Sequence, residues 1–217
     1  NQVLINVQLI DANSDGHLWA QSYQRTLDNI FGVEGEVAEK IATALNAKLT
    51  PAETAAVAKV GTRNPAALDA MLKADYYLND FNRTGDEAEL ARSVPLYKQA
   101  MAADPKYASA YAGLALAYQK LGGRDREAEA AARQALAIDP DNADAHTEYA
   151  FALADTGEFG AAIAESEKAV SLPSHNINNM DGLGFTLLFA GKIEEAAQAF
   201  QRALAADPSV DFSRERA

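Results

Sequence analysis

Cysteine is absent from this chain of 217 residues. That excludes disulfides, thiolate metal sites and a cysteine nucleophile. Basic side chains are scarce: 19 Lys and Arg face 31 Asp and Glu, for a net charge of −12 and a pI near 4.6. Nucleic-acid phosphates and anionic membrane surfaces both require Lys and Arg, so neither is an expected partner. No apolar run reaches the roughly 18 residues that would span a bilayer. The three histidines, His17, His146 and His175, lie far apart and form no paired helix motif, which argues against zinc. No G-x-G-x-x-G, Walker or G-x-S-x-G pattern is present. Without a catalytic constellation or a cofactor motif, the chain is expected to be neither an enzyme nor a cofactor carrier. It is expected to be soluble, whether cytoplasmic or periplasmic. It starts without Met, inside a strand pattern, which suggests a piece of a longer protein and makes a missing leader uninformative.

What the chain does have is a ladder of alanines. Ala100, Ala135, Ala169 and Ala203 follow one another at intervals of 35, 34 and 34 residues. Ala128, Ala162 and Ala196 keep the same period, as do Ala115, Ala150 and Gly184. A large residue stands four before each of the last three: Tyr111, His146 and Met180. Pro105, Pro140, Pro173 and Pro208 stop the helices, because proline has no N–H and disfavours helix at the residue before it. Small residues at fixed places let helices approach closely, and a period near 34 is that of stacked helix-turn-helix units.

These positions resemble the tetratricopeptide repeat (TPR) family. The fullest match is Met180, Leu183, Gly184 and Leu187, followed by Gly191, Ala196, Phe200, Ala203 and Pro208. Tyr111, Leu114, Ala115 and Tyr118, then Ala128, Ala132, Ala135 and Pro140, repeat it with one residue inserted. A looser copy runs through His146, Tyr149, Ala150, Leu153, Gly157, Ala162, Ser166 and Ala169. The first copy holds Ala74, Tyr77, Tyr97, Ala100 and Pro105, with about seven extra residues placed in the turn around Asn82–Glu89. The resemblance implies an α-solenoid of four repeats over about 65–107, 108–142, 143–176 and 177–210, with a further helix starting before Ala217.

The front of the chain reads differently. Val3–Asp11 and His17–Arg25 alternate apolar and polar residues as strands do, and Asn13-Ser14-Asp15-Gly16 between them signals a hairpin turn. Oxygen side chains at alternating positions from Asp11 to Gly16 look like half a calcium loop, but Ser22 stands where the closing Glu should be, so the turn is preferred. Gly32-Val33-Glu34-Gly35 reads as a turn before a helix. Val33, Val37, Ile41, Ala44, Leu45 and Leu49 then share a helical face. Thr50-Pro51-Ala52-Glu53 is a capping box that opens another helix, ended by Gly61, and Asn64-Pro65 opens the array. Residues 1–50, carried by Trp19, Tyr23, Arg25, Ile30 and Phe31, resemble the end of a TolB-like α/β domain. In that family it lies between TPRs and an output domain: an adenylate or guanylate cyclase, a winged-helix regulator or a kinase. Residues 51–64 then form a connecting helix and linker.

Function is expected on the face lined by the first helix of each repeat. By register this gives Asp75, Asn79, Ser109, Ala112, Leu116, Gln119, Lys120, Thr147, Phe151, Asp155, Asn178, Asp181, Phe185 and Phe189. Some TPRs clamp a carboxylate there with Lys, Arg and Asn. Ala112, Leu116 and Phe151 hold the corresponding places and do not support that clamp. An apolar or amphipathic peptide is the expected partner. Phe185 and Phe189 alternatively pack against a following helix. Glu165, Glu167, Glu194 and Glu195 read as solvated helix faces. Two further readings stand beside the peptide module: a regulatory region of a signalling enzyme, and self-assembly into a homo-oligomer through exposed edges.

Overall fold

The fold is mainly α, with a β-hairpin preceding the helices in sequence. The computed structural model describes residues 2–11, 16–26, 33–44, 61–172 and 178–206. The chain divides into two compact units, Asn1–Leu68 and Asp69–Ala217.

The first unit holds strands β1 (Gln2–Asp11) and β2 (Gly16–Thr26) and helix α1 (Val33–Ala44). The strands pair antiparallel, with Ile5 opposite Tyr23 and Val3 opposite Arg25, and a bulge lies between Leu9 and Ile10. Strand alternation works as the sequence predicts. Val3, Ile5, Val7 and Leu9 are half-buried on one face, while Leu4 and Ile10 are exposed on the other. Tyr23 and Val33 are buried, and Arg25 reaches Glu36 of α1 at 3.0 Å. Helix α1 starts at Val33, so Gly35 lies within it rather than in a turn before it. The predicted hairpin turn at 12–15, the later part of the first helix and the helix after Thr50 fall outside the described residues, as do Pro173, Pro208 and the start of a further helix.

The second unit is a run of helix pairs: α2 (Pro65–Thr84) with α3 (Glu87–Ala103), α4 (Ala108–Leu121) with α5 (Asp125–Ile138), α6 (Ala143–Asp155) with α7 (Phe159–Ser171), and α8 (Asn178–Phe189) with α9 (Ile193–Ala206). From α4 onward each pair packs on itself and on the next, and the first helices α4, α6 and α8 also touch in turn. The alanine ladder is the seam. Ala100, Ala135, Ala169 and Ala203 are each 0% exposed, and Ala128, Ala162 and Ala196 at most 5%. Between them Leu78, Leu90, Tyr97, Leu114 and Tyr118 form one apolar cluster, and Leu183 and Leu187 another with Phe200.

Local chemistry sets the boundaries. Asn64 Oδ1 accepts from the amides of Ala66 and Ala67, with Pro65 at the first helical position. Asp86 and Asn142 cap α3 and α6 in the same way. The turn of the second repeat is as long as the later ones but differs in its backbone: Gly122 and Gly123 both have positive φ, where the later turns use Gly157 or Gly191 alone. Only glycine takes two successive left-handed positions without steric cost.

The first pair corrects an expectation. The extra residues do not form a long turn around Asn82–Glu89; the turn is only Gly85 and Asp86. They lengthen the helices instead, to 20 residues in α2 and 17 in α3. Arg83 pairs with Asp80 and the Thr84 hydroxyl donates to the Asp80 carbonyl, so α2 continues until Gly85 turns at φ +74°. Pro95 sits inside α3 on its exposed side, where water can serve the carbonyl that loses its donor.

Large side chains meet glycines across the seams. A Cβ on Gly113 would overlap the Tyr97 ring, one on Gly182 the Thr147 methyl, and one on Gly184 the Phe200 ring. Tyr97 is wholly buried and cannot swing aside. Gly113→Ala is therefore expected to destabilise the array by about 1–3 kcal/mol through overpacking, outweighing the ~1 kcal/mol gained in helix propensity. Urea unfolding measures this; an unchanged or raised midpoint would refute the packing account.

Candidate functional site

The residues assigned to the groove do fall on first helices, but they offer unequal surface. Asn79 on α2, Asp155 at the end of α6 and Phe189 at the end of α8 are exposed. Ser109, Leu116, Gln119 and Lys120 on α4, Phe151 on α6 and Phe185 on α8 are half-buried. Ala112, Thr147 and Asp181 are buried and act as the floor between helices. Thr147 donates to Asn179 Oδ1 at 2.8 Å, tying α6 to α8. The side chain of Asn178 is outside the described residues. Phe185 packs edge-on against Phe200 of its own repeat, with centroids 5.0 Å apart.

Two other expectations change. His146 is buried as its register requires, but it is a polar bridge as well as a filler. Its Nδ1 lies 2.5 Å from Glu165 Oε2 and its Nε2 lies 3.0 Å from the Pro140 carbonyl. Glu165 is thereby part of the α6–α7 seam rather than a purely solvated side chain. The Ser166 and Thr186 hydroxyls, both buried, form a similar bridge from α7 to α8 at 2.9 Å.

A set of buried or half-buried polar side chains that sequence reasoning did not single out is spread over α2, α3 and α6. The Tyr97 hydroxyl donates to Asp75 Oδ1 at 2.9 Å, linking α3 to α2. Burial raises the Asp75 carboxyl above its ordinary value; the Tyr97 hydrogen bond opposes this and Asp144 adds to it. Burial also raises the Tyr97 hydroxyl, helped by the charges of Asp75 and Glu148. Glu148 is the extreme case. It is 7% exposed, and its Oε2 has no hydrogen-bond partner among the described residues. Burial pushes its carboxyl up to about 8; Lys120 of α4 pulls it down through space and Asp144, one turn away, pushes it up. Asp155 is also raised, by burial and by Asp125.

The register contained a signal for Glu148. Gly113, Glu148 and Gly182 stand 35 and 34 residues apart, in step with the ladder. Two repeats keep glycine there to admit a neighbour's side chain; the third has a carboxylate. Among the described residues no group of three or more His, Asp or Glu side chains is placed to hold a metal ion. No helix of the described residues is long and apolar enough to cross a membrane.

The buried carboxylate fixes a sign for pH dependence. Between pH 4.5 and about 8 the folded chain keeps the Glu148 proton that the unfolded chain has lost. The folded state binds more protons there, so its stability falls as pH rises through that window. Asp75 contributes in the same direction. Glu148→Gln is expected to flatten the decline by roughly 1–4 kcal/mol, read from urea midpoints at pH 5 and pH 8. Parallel curves for the two proteins would refute it.

Comparison with known proteins agrees with this architecture. The tetratricopeptide repeat family model matches residues 108–142 and 180–210. Among solved structures, the chain resembles a thermophilic TPR protein of Thermus thermophilus, with TM-score 0.50 and 19% identity, covering 69% of this chain and 95% of that one. It also resembles the pilF protein of Pseudomonas aeruginosa, with TM-score 0.50 and 22% identity, covering 66% and 64%. At these identities the likeness is one of fold. "Putative adenylate cyclase 3" of Rhizobium meliloti (strain 1021) is 34% identical over 116 residues, which are 54% of this chain and 19% of that protein. The chain thus spans about a fifth of the length of that curated relative, and its likeness to the tetratricopeptide repeat family lies in the second and fourth helix pairs.

Proposed function

We propose that the repeat array is a protein-interaction module that takes a peptide segment along the face of its first helices. The observation that carries this reading is the pairing of helices into hairpins, whose first helices hold Leu116 and Phe151 half-exposed in adjacent repeats. Apolar side chains left partly open on a preformed face favour an apolar or amphipathic ligand, which is held by complementarity without a covalent step. Such binding gains from a rigid receptor, since little ordering entropy is lost on the array's side.

The test is a selection from a displayed peptide library on the intact chain. The double variant Leu116→Asp/Phe151→Asp is expected to keep its far-UV helicity and to lose at least about tenfold in affinity for the enriched peptides. Undiminished binding by that variant would show that the face is wrongly assigned.

A second reading concerns the parent protein. The resemblance of residues 1–50 to the end of a TolB-like domain, and the 34% identity to a cyclase relative, favour a regulatory region of a signalling enzyme. The chemistry would then lie outside these residues, and the array would transmit a partner's binding to it. Deleting the corresponding region from the full-length relative is expected to change its cyclase activity or its response to effectors. Unaltered activity and response would remove this reading and leave the peptide module intact.

A further inference from the structure

The seam between α6 and α7 holds a histidine whose two ring nitrogens both face acceptors. Nε2 of His146 lies 3.0 Å from the Pro140 carbonyl, and Nδ1 lies 2.5 Å from Glu165 Oε2. A carbonyl and a carboxylate only accept, and a neutral imidazole has a single N–H. Exchanging the two nitrogens does not resolve the conflict, since one donor still meets two acceptors. Both bonds form together only when the pair holds a second proton. The His146 side chain is 11% exposed and that of Glu165 30%. Water therefore reaches the carboxylate and favours its charge, which places the second proton on the ring.

The repeat register separates the two bonds. One repeat earlier, the Tyr111 hydroxyl donates to the Pro105 carbonyl at 3.3 Å, six residues back, as Pro140 is from His146. The bond to the carbonyl thus belongs to the position, with the side chain as donor. The bond to Glu165 is particular to the third pair. Leu96, Ala131 and Ala199 stand in register with Glu165, and both alanines are buried. Where the neighbouring repeats set Tyr111 and Met180 in step with an alanine, this one sets a histidine against a carboxylate. An apolar contact has been exchanged for one that depends on a proton.

Other charges around α6 do not replace Glu165. Helix α7 also brings Lys168, which pairs at 3.3 Å with Asp141 in the turn before α6, and the exposed Glu167. Arg133 of α5 is bound to Tyr149 and Glu129. Lys120 of α4 acts on Glu148 of α6, α8 brings the buried Asp181, and α6 itself carries Asp144. Among the described residues, Glu165 is the charged group that reaches the ring.

We propose that His146 and Glu165 form a proton-operated latch, in which the imidazolium ties α7 to α6 and to the turn before it. Loss of the ring proton leaves a nitrogen lone pair facing a carboxylate, and the contact between the helices is released. The latched form binds a proton that the released form lacks. It is therefore favoured at acid pH and lost as the pH rises through the titration of the ring.

The experiment uses the intact chain and two NMR readouts. Long-range proton–nitrogen correlations report the protonation of each ring nitrogen of His146. Hydrogen exchange of the α7 amides, expressed as protection relative to an unstructured chain, reports the hold of that helix on the array. At about pH 5 both ring nitrogens are expected to carry protons, and at about pH 9 only one. Glu165→Gln isolates the latch. Its amide N–H can donate to an unprotonated Nδ1 while Nε2–H still serves the Pro140 carbonyl, so the contact no longer needs a second proton. Between the same two pH values, α7 protection in the unaltered chain is expected to fall at least about fivefold further than in Glu165→Gln. Repeating the comparison with Glu148→Gln in both proteins removes the other buried carboxyl that titrates in this range, and the same difference is expected. An equal fall in the two proteins would overturn the latch. A His146 ring already neutral at about pH 5 would overturn it as well, and that reading needs no variant.

Discussion

Close approach of helices over small residues is the constraint on which the rest of the structure depends. Ala100, Ala135, Ala169 and Ala203 each lie at a place where a larger side chain would hold neighbouring helices apart. Alanine buries little area of its own, so the driving force comes from the few large residues inserted between the rungs. Each of those needs a gap. Tyr97 finds it over Gly113, Thr147 over Gly182 and Phe200 over Gly184. The core is therefore a set of matched projections and hollows rather than a uniform apolar layer, and its stability is sensitive to single carbon atoms.

The same closeness governs the polar interior. Hydroxyls and amides bridge the seams where they find partners: Thr147 with Asn179, Ser166 with Thr186, and His146 with Glu165 and a backbone carbonyl. Buried polar groups satisfied in this way fix how one helix sits on the next at little net cost. Glu148 breaks the pattern. It occupies a buried register in which one of its oxygens meets no donor among the described residues. Its raised proton affinity follows from that position, since burial penalises the charged form more than the neutral one.

The helical period was legible in the sequence because it is a property of spacing. Alanine recurring every 34 residues or so, prolines after each second helix and glycines in the turns are local signals that tertiary contacts reinforce. Where local signals competed, reading failed. The additional residues of the first pair could lengthen a turn or its helices, and Arg83, Asp80 and Thr84 decided for the helices through contacts between neighbouring turns. Glu165 looked like a solvated residue because nothing in its own helix announces that His146 will reach it from α6.

The sequence by itself determined that this protein is a stack of paired helices following a hairpin, with an alanine seam and no cysteine chemistry, because those features follow from residue type and interval. Only the tertiary structure decided which charges meet. Asp75 and Glu148 lie about two repeats apart along the chain, and no local pattern relates them. Burial raises the Tyr97 hydroxyl and the charges of both carboxyls add to it; its ring fits against α4 because Gly113 has no side chain. Burial is a property of the packed assembly, so the proton affinity of Glu148 and the character of the face around it could appear only once the helices were in place.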